Sequence, residues 1–150
     1  MLEIGDELPD LELNNQDGES VKMREISGEK LIVYFYPKDN TPGCTKEAVN
    51  FRDAIEDYKS EDISIIGISA DSVTSHKRFA EKYDLNFELL ADPDKKAAKA
   101  FGALVSGKVK RRTWVFDKAR KVEKTYKTVS PTKHNDELCV YLGLKPPQKD

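Results

Sequence analysis

Two long apolar runs constrain the fold more than any other feature of this sequence. Residues 31–36 (LIVYFY) and 63–70 (ISIIGISA) are largely apolar at both odd and even positions. Runs of this kind are typical of strands that are buried on both faces, as in a parallel sheet covered by helices. Between them, apolar residues recur at intervals of three and four, which predicts an amphipathic helix from Cys44 to about Tyr58. The order strand, helix, strand therefore predicts a parallel β-α-β unit at the centre of the molecule.

Further strands and helices are predicted on either side of this unit. The N-terminal part favours a β-hairpin, with strands at 11–13 and 21–23 around a turn at 14–18. The later elements are a helix at 73–83, a short strand at 87–91, a short helix at 95–101 closed by Gly102, strands at 113–116 and 122–126, and a last helix at 131–142 with Ser130 as its N-cap and Gly143 at its end. A β-α-β unit followed by a hairpin and a helix is the thioredoxin plan. We therefore expect an α/β, thioredoxin-like fold: a mixed central β-sheet flanked by helices, with an N-terminal β-hairpin extension. We expect one domain over residues 1–150, with a frayed tail at about 145–150.

Charge and hydropathy exclude several classes of partner. The formal net charge is -2, and basic and acidic residues are interspersed along the chain, so neither nucleic acid nor a membrane surface is an expected partner. The longest apolar run is far too short to span a membrane. The N-terminal residues lack the basic and apolar regions of a signal peptide, which favours a cytoplasmic protein.

The chain has only two cysteines, Cys44 and Cys139. They are too few for a disulfide framework, and in a reducing compartment both are expected as free thiols. They are also too far apart in sequence for the Cys-x-x-Cys motif of a thioredoxin or for a typical zinc site. We accordingly expect no metal.

Cys44 occupies a position where a thiol becomes reactive. It follows the loop 37–43, which leads from the end of a predicted buried strand into the start of a helix. The unpaired N–H groups and the positive end of the helix dipole stabilise an anion there, so a cysteine ionises more readily. A thiolate is a strong nucleophile, and a partly exposed thiolate is readily oxidised. Position alone therefore makes Cys44 a candidate nucleophile.

The loop around Cys44 resembles that of the peroxiredoxins. Their hallmark, Pro-x-x-x-Thr/Ser-x-x-Cys, is filled by Pro37, Thr41 and Cys44, and the longer stretch YPKDNTPGCT looks like the Q-type branch, also called bacterioferritin comigratory proteins. The similarity extends over nearly the whole chain. The family also has an arginine two residues before the threonine of an apolar strand, and the segment RRTWVFD places Arg111 there.

The resemblance implies a thiol-dependent peroxidase that acts on hydrogen peroxide and small organic hydroperoxides without a cofactor. Cys44 thiolate would attack one peroxide oxygen and become a sulfenic acid. Arg111 would stabilise the thiolate and the leaving oxygen, and Thr41 would align the peroxide. Pro37 would shield the thiolate from water, and the N–H groups of Gly43 and Cys44 would bind the distal oxygen.

Some of these residues also fit ordinary structural roles. Arg111 lies in a basic run with its two neighbours, and such runs are usually solvated. Glu47 either orients Arg111 or is a common acidic residue near a helix start. His76 and His134 lie near apolar helix stripes and are interpreted as structural histidines.

The sequence departs from the Q-type pattern in its recycling cysteine. Many members have a second cysteine five residues after the first, where this chain has Val49, and others have one on the next helix, where residues 73–83 have none. Cys139 is the only internal candidate for resolving the sulfenic acid, and its apolar helix favours a structural role. We therefore expect an external reductant, either thioredoxin-like or a small thiol.

Two other function classes stay open at this point. A thiol–disulfide reductase would share the fold, although the chain lacks Cys-x-x-Cys. A non-catalytic thioredoxin-like binding module or holdase would not need the set of Pro37, Thr41, Cys44 and Arg111. The expected assembly is a monomer or a weak dimer.

Overall fold

A computed structural model describes residues 1–144, so the tail expected at about 145–150 lies outside the described residues. Along the chain the strands and helices are β1 (Glu12–Asn15), β2 (Ser20–Lys22), a 3-10 turn (Met23–Glu25), β3 (Lys30–Phe35), α1 (Pro42–Ser60), β4 (Ile63–Ser69), α2 (Val73–Lys82), β5 (Glu88–Ala91), α3 (Lys96–Phe101), β6 (Leu104–Val105), β7 (Lys108–Val109), β8 (Arg112–Phe116), β9 (Val122–Tyr126) and α4 (His134–Leu142). None of the helices within these residues is long and apolar enough to cross a membrane.

The main sheet is mixed, as the sequence predicted. Its strand order is β2-β1-β5-β4-β3-β8-β9. Strands β3, β4 and β5 run parallel, with Ile32 opposite Ile65 and Ile68 opposite Leu90. The remaining pairs, including β3 with β8 and β8 with β9, are antiparallel. The predicted β-α-β unit and N-terminal hairpin are confirmed, and the parallel strands bring their carboxyl ends to one edge.

Both faces of the central strand β3 are buried, which explains its unbroken apolar sequence. Alternate side chains from Leu31 to Phe35 point to one face, where they pack with Trp114 and with Phe101 of α3. Those from Ile32 to Tyr36 point to the other face, where α1, α2 and α4 cover them. The apolar groups that pack against both sides of β3 fix the position of its carboxyl end.

The first helix begins earlier than the sequence analysis placed it. It starts at Pro42, so Cys44 is its third residue and not its first. Thr41 has extended backbone angles (φ -89°, ψ 155°) and occupies the N-cap position. Proline suits the first position of a helix because its fixed φ is already helical and its missing N–H is not needed there.

The last helix begins later than predicted, and its expected N-cap is wrong. It starts at His134, and the Ser130 side chain does not cap it. Instead, the Ser130 carbonyl accepts hydrogen bonds from the N–H groups of Lys133 and His134, which closes a turn before the helix. Gly143 ends the helix with a left-handed φ of 73°, as predicted.

The sequence analysis also missed a small hairpin formed by β6 and β7. Its turn consists of Ser106 and Gly107, which both have positive φ (51° and 76°). Two-residue hairpin turns of type I′ require positive φ at both positions. Strands of two residues are too short to show a hydrophobic period, so the pattern had nothing to detect.

Candidate active site

The loop before α1 leaves the sheet beside the carboxyl ends of the parallel strands. Its last backbone bond to the sheet is from the Tyr36 N–H to the Ile68 carbonyl, at 3.1 Å. Ligands of open α/β sheets usually bind beyond these strand ends. Cys44, 2% exposed, lies on the first turn of the helix that follows.

The N-terminus of α1 is open to an anion. The first helical hydrogen bond runs from the Thr45 N–H to the Thr41 carbonyl, at 2.8 Å. Pro42 has no N–H, and within residues 1–144 no side chain caps the helix and its first turn carries no acidic residue. The N–H groups of Gly43 and Cys44 therefore lie at the positive end of the helix dipole without a capping side chain to occupy them.

Arg111 joins Cys44 to Glu47. Its Nη2 donates to Cys44 Sγ at 3.3 Å, and its Nη1 donates to Glu47 Oε1 at 2.7 Å. The side chain of Glu47 is 1% exposed and that of Arg111 16% exposed. A guanidinium in this position stabilises a negative charge on the sulfur, because both groups lie in a region of low dielectric.

Burial has opposing effects on the two charged partners. Burial raises the pKa of Glu47 from 4.5 to about 7, although Arg111 acts to lower it. For Arg111, burial acts to lower the pKa, but the neighbouring Glu47 and Cys44 outweigh it and the pKa is raised. Arg111 therefore stays charged, whereas Glu47 changes its charge near neutral pH. Glu47 Oε2 is buried and has no hydrogen-bond partner among residues 1–144.

The adjacent arginine points away from the cysteine. Arg112 Nη1 donates to the Gly102 carbonyl at 2.6 Å, on the side of the sheet where α3 lies. Successive side chains along an extended chain face opposite ways. The structure thus brings Arg111, the arginine that the family resemblance selected, to Cys44 and does not bring Arg112 there.

The other hallmark residues lie around the same helix start. Thr41 is half-buried, and its Oγ1 donates to the Lys38 carbonyl at 3.0 Å. Because the hydroxyl hydrogen points to Lys38, the lone pairs of the Thr41 hydroxyl oxygen face away from Lys38 and can accept a hydrogen bond. Pro37 is exposed, so its expected role as a shield for Cys44 stays a prediction.

Gly43 is confined by two side chains. A methyl group added to it would lie 3.3 Å from Arg111 Nη2 and 3.4 Å from Pro131 Cγ. Pro131 therefore lines the site, which the sequence analysis missed because it assigned Pro131 to the first turn of the last helix. No pattern in the sequence points to this contact, which joins two distant segments.

The two histidines are both buried. His134 Nε2 lies 2.8 Å from Thr113 Oγ1, and burial, with a smaller effect of Arg111, lowers the pKa of His134 to about 4. His134 is thus neutral at pH 7. His76 contacts Asp39 and Leu90, away from Cys44.

Cys139 lies within the packed interior between α4 and α1. It is 0% exposed, and its Sγ lies 3.8 Å from Tyr58 Oη and 3.9 Å from Asn135 Oδ1. Burial raises the pKa of the Cys139 thiol, which opposes formation of the reactive thiolate. Both cysteines are free thiols.

Known proteins resemble this chain in sequence and in fold. Residues 4–125 match the AhpC/TSA family. Peroxiredoxin Bcp of Bacillus subtilis (strain 168) is 41% identical over 149 residues, which cover 94% of this chain and 95% of that protein. The chloroplastic peroxiredoxin Q of Gentiana triflora is 42% identical over 138 residues, which cover 89% of this chain and 64% of that protein. Among solved structures, a Xanthomonas campestris bacterioferritin comigratory protein studied for its alkyl peroxide reduction activity has a TM-score of 0.86 and 30% identity, and the match covers 95% of this chain and 96% of that one.

These likenesses agree with the geometry at Cys44. Each covers most of this chain, and the sequence identities are well above those of proteins that share only a fold. The chain therefore belongs to the AhpC/TSA family, in the branch of peroxiredoxin Q and the bacterioferritin comigratory proteins, and it is a thiol peroxidase with a thioredoxin-like fold.

Proposed function

We propose that Cys44 is the peroxide-reactive cysteine and that the enzyme reduces hydrogen peroxide and small organic hydroperoxides. The observation that carries this proposal is the contact between Arg111 Nη2 and Cys44 Sγ, 3.3 Å long, at the open N-terminus of α1. A cation on one side and a helix N-terminus on the other stabilise a thiolate at this position. The alkyl peroxide activity of the Xanthomonas relative supports organic hydroperoxides as substrates.

In the first step, the Cys44 thiolate attacks one oxygen of the peroxide and the O–O bond breaks. The sulfur is oxidised to a sulfenic acid, and the other oxygen leaves as water or an alcohol after it takes up a proton. Negative charge moves from sulfur to the leaving oxygen during this step. In this proposal, Arg111 and the N–H groups of Gly43 and Cys44 stabilise this charge without reorganising. The Thr41 hydroxyl, which donates to the Lys38 carbonyl, instead accepts the peroxide proton and so aligns the O–O bond.

Glu47 has a positioning role in this proposal. Its carboxylate accepts from Arg111 Nη1 and leaves Nη2 for the sulfur. A guanidinium held at both nitrogens has little freedom to turn away from Cys44. Preorganised donors of this kind typically contribute on the order of 100-fold or more to a rate.

We further propose that an external thiol, either thioredoxin-like or small, reduces the sulfenic acid. This thiol would displace water to form a mixed disulfide with Cys44, and a second thiol would release the reduced enzyme. Three observations favour an external thiol over an internal cysteine. Cys139 is fully buried, and burial raises the pKa of its thiol. Val49 occupies the position where many relatives have their second cysteine.

Consumption of hydrogen peroxide with dithiothreitol as the reductant tests the peroxidase proposal. We expect turnover by the wild type and none by Cys44→Ser. A thiol–disulfide reductase would reduce a disulfide substrate without consuming peroxide, and a binding module or holdase would do neither. Cytoplasmic location, a monomeric or weakly dimeric state and a single domain over residues 1–150 stay predictions.

A further inference from the structure

A buried hydrogen-bond network lies beneath the loop that leads to Cys44, and the reaction described above does not use it. Its centre is Asp39, whose side chain is 3% exposed although the neighbouring residues 37, 38 and 40 are exposed. Its carboxylate accepts hydrogen bonds from Tyr36 Oη at 2.6 Å and from Ser75 Oγ at 2.8 Å, and Oδ2 lies 2.7 Å from His76 Nδ1. Asp39 therefore turns inward and joins the loop to the start of α2.

The loop depends on these side-chain contacts because its backbone makes few bonds. Of the N–H groups at positions 38–41, only that of Asp39 has a hydrogen bond to another part of residues 1–144, to Asp71 Oδ2 at 2.8 Å. A second anchor lies one residue later, where Asn40 Oδ1 accepts from Tyr83 Oη at 2.9 Å. Asn40 has a positive φ of 60°, a conformation that its surroundings must stabilise. The Asp39 carboxylate thus connects the loop to α2, and Asn40 connects it to the residue directly after α2.

A hydrogen bond joins the buried side chains of Asp39 and His76. His76 Nε2 lies 3.0 Å from the Leu90 carbonyl, which can only accept, so this nitrogen carries a hydrogen. The Nδ1 and Oδ2 atoms, 2.7 Å apart, would repel each other without a proton between them. A hydrogen therefore lies between these two atoms, and it links the loop to α2 at a histidine that is 0% exposed.

Asp39, Asp71 and His76 have side chains of the types that bind metal ions, and their ligand-type atoms lie within 4.8 Å of one another. However, protein hydrogen bonds already satisfy the Asp39 carboxylate, both ring nitrogens of His76 and Asp71 Oδ2. The cluster is therefore best explained as a support for the loop.

We propose that Asp39 and His76 are positioning residues for the peroxidase reaction, which fix the loop bearing Thr41 and the N-terminus of α1 against α2. This inference rests on the proposed function of Cys44. Thr41 follows Asp39 by two residues, and the N–H groups of Gly43 and Cys44 follow Thr41 after Pro42. A displacement of the loop moves all of these peroxide-binding groups relative to the sulfur. Misplacement by about 1 Å can cost on the order of 100-fold in rate.

Two reactions of Cys44 separate positioning from overall stability. Oxidation by hydrogen peroxide requires the aligned loop, whereas alkylation by iodoacetamide requires only an accessible thiolate. The measured quantity is the ratio of the two second-order rate constants, obtained from the intact mass of samples quenched over time. A purely structural role for Asp39 would change the melting temperature and leave this ratio unchanged.

Three variants define the expected results. Asp39→Ala removes the anchor and should lower the ratio by about 10- to 100-fold. Asp39→Asn should keep the ratio within about threefold of the wild type, because the amide can donate to His76 Nδ1 and accept from Tyr36. Lys77→Gly, an exposed position beside His76, is the control: it weakens α2 through the low helix propensity of glycine and should leave the ratio unchanged.

Ser75→Ala provides a milder perturbation in case Asp39→Ala does not fold. It removes one hydrogen bond to Asp39 at a half-buried site and should lower the ratio in the same direction. If the wild type reacts with peroxide but Asp39→Ala and Ser75→Ala leave the ratio unchanged, the positioning role of Asp39 is overturned. The proposed function of Cys44 is not affected by that result. An equal decrease in Lys77→Gly would also overturn the positioning role, since α2 stability would then explain the effect. A wild type whose Cys44 does not react with peroxide would overturn the proposed function as well.

Discussion

Replacing Glu47 with glutamine should make the protein more stable at neutral and alkaline pH. Glu47 is almost completely buried, one of its carboxylate oxygens has no hydrogen-bond partner within residues 1–144, and burial raises its pKa from 4.5 to about 7. The raised pKa means that the folded protein holds a proton that the unfolded chain releases. This contribution to stability is fully present below pH 4.5 and is lost as the pH rises through about 7.

The size of the effect follows from this pKa difference. Each pKa unit corresponds to about 1.4 kcal/mol, so a change from 4.5 to about 7 corresponds to roughly 3 kcal/mol. Glutamine has nearly the same shape, does not titrate, and can still accept a hydrogen bond from Arg111 through its amide oxygen. The free energy of unfolding of Glu47→Gln, relative to the wild type, should therefore rise by roughly 3 kcal/mol between pH 4 and pH 8.

Urea unfolding of both proteins at a series of pH values measures this difference directly. Glu56→Gln is a matched control, because Glu56 is exposed on the same helix, and its difference from the wild type should stay within about 0.5 kcal/mol. A difference between Glu47→Gln and the wild type that stays constant from pH 4 to pH 8 would refute the reasoning. A wild type that gains stability over the glutamine variant as the pH rises would show that Arg111 outweighs the cost of burial.

Three further substitutions test other parts of the account. Arg111→Ala should slow oxidation by peroxide in stopped-flow experiments by about 100-fold or more. Arg112→Ala, on the opposite face, should change this rate by less than about tenfold. Equal effects of the two substitutions would mean that the wrong arginine has been assigned. Cys139→Ser should keep peroxide turnover with dithiothreitol, and loss of turnover in a folded variant would make Cys139 part of the cycle. Gly67→Ala should lower the free energy of unfolding by about 1–3 kcal/mol, because overpacking a core is costly. The added methyl group would lie 2.8 Å from the ring of the fully buried Tyr34, and unchanged stability in urea would contradict this packing.

The central sheet was predictable from the sequence because burial on both faces leaves a distinct pattern. Residues 31–36 have no polar position, and the structure buries every one of them. The ends of the helices were harder to predict, because they depend on turns and not on periodicity. The turn from Ser130 to Lys133 satisfies its own backbone groups, so the helix that the pattern placed at 131 begins at His134. Helix ends of this kind depend on local backbone hydrogen bonds that residue types only partly determine.

The contact between Cys44 and Arg111 at the candidate site was predictable for a different reason. Cys44 follows a buried strand through a short loop, and chain order alone places it at a helix start. Arg111 and Arg112 are adjacent, and strand alternation together with the family resemblance selected the one that faces the sulfur.

The surroundings of Cys44 were not predictable, because they arise from contacts between distant parts of the chain. Pro131 approaches Gly43 across a large sequence separation. Asp39 and His76 are 37 positions apart, and neither residue type in isolation indicates a buried pair. Periodicity identifies which residues are buried, but it does not identify their partners.

The central claim is that peroxide reacts at Cys44 and leaves Cys139 unchanged. The most direct test treats the reduced protein with one equivalent of hydrogen peroxide and no reductant, in the presence of a sulfenic-acid trap. Remaining thiols are then alkylated under denaturing conditions, and the intact chain and its peptides are weighed. We expect one trapped adduct on Cys44 and an alkylated Cys139, with no adduct in Cys44→Ser. A disulfide between Cys44 and Cys139, or a dimer linked through Cys139, would contradict the one-cysteine cycle, and an adduct on Cys139 with unmodified Cys44 would contradict the claim itself.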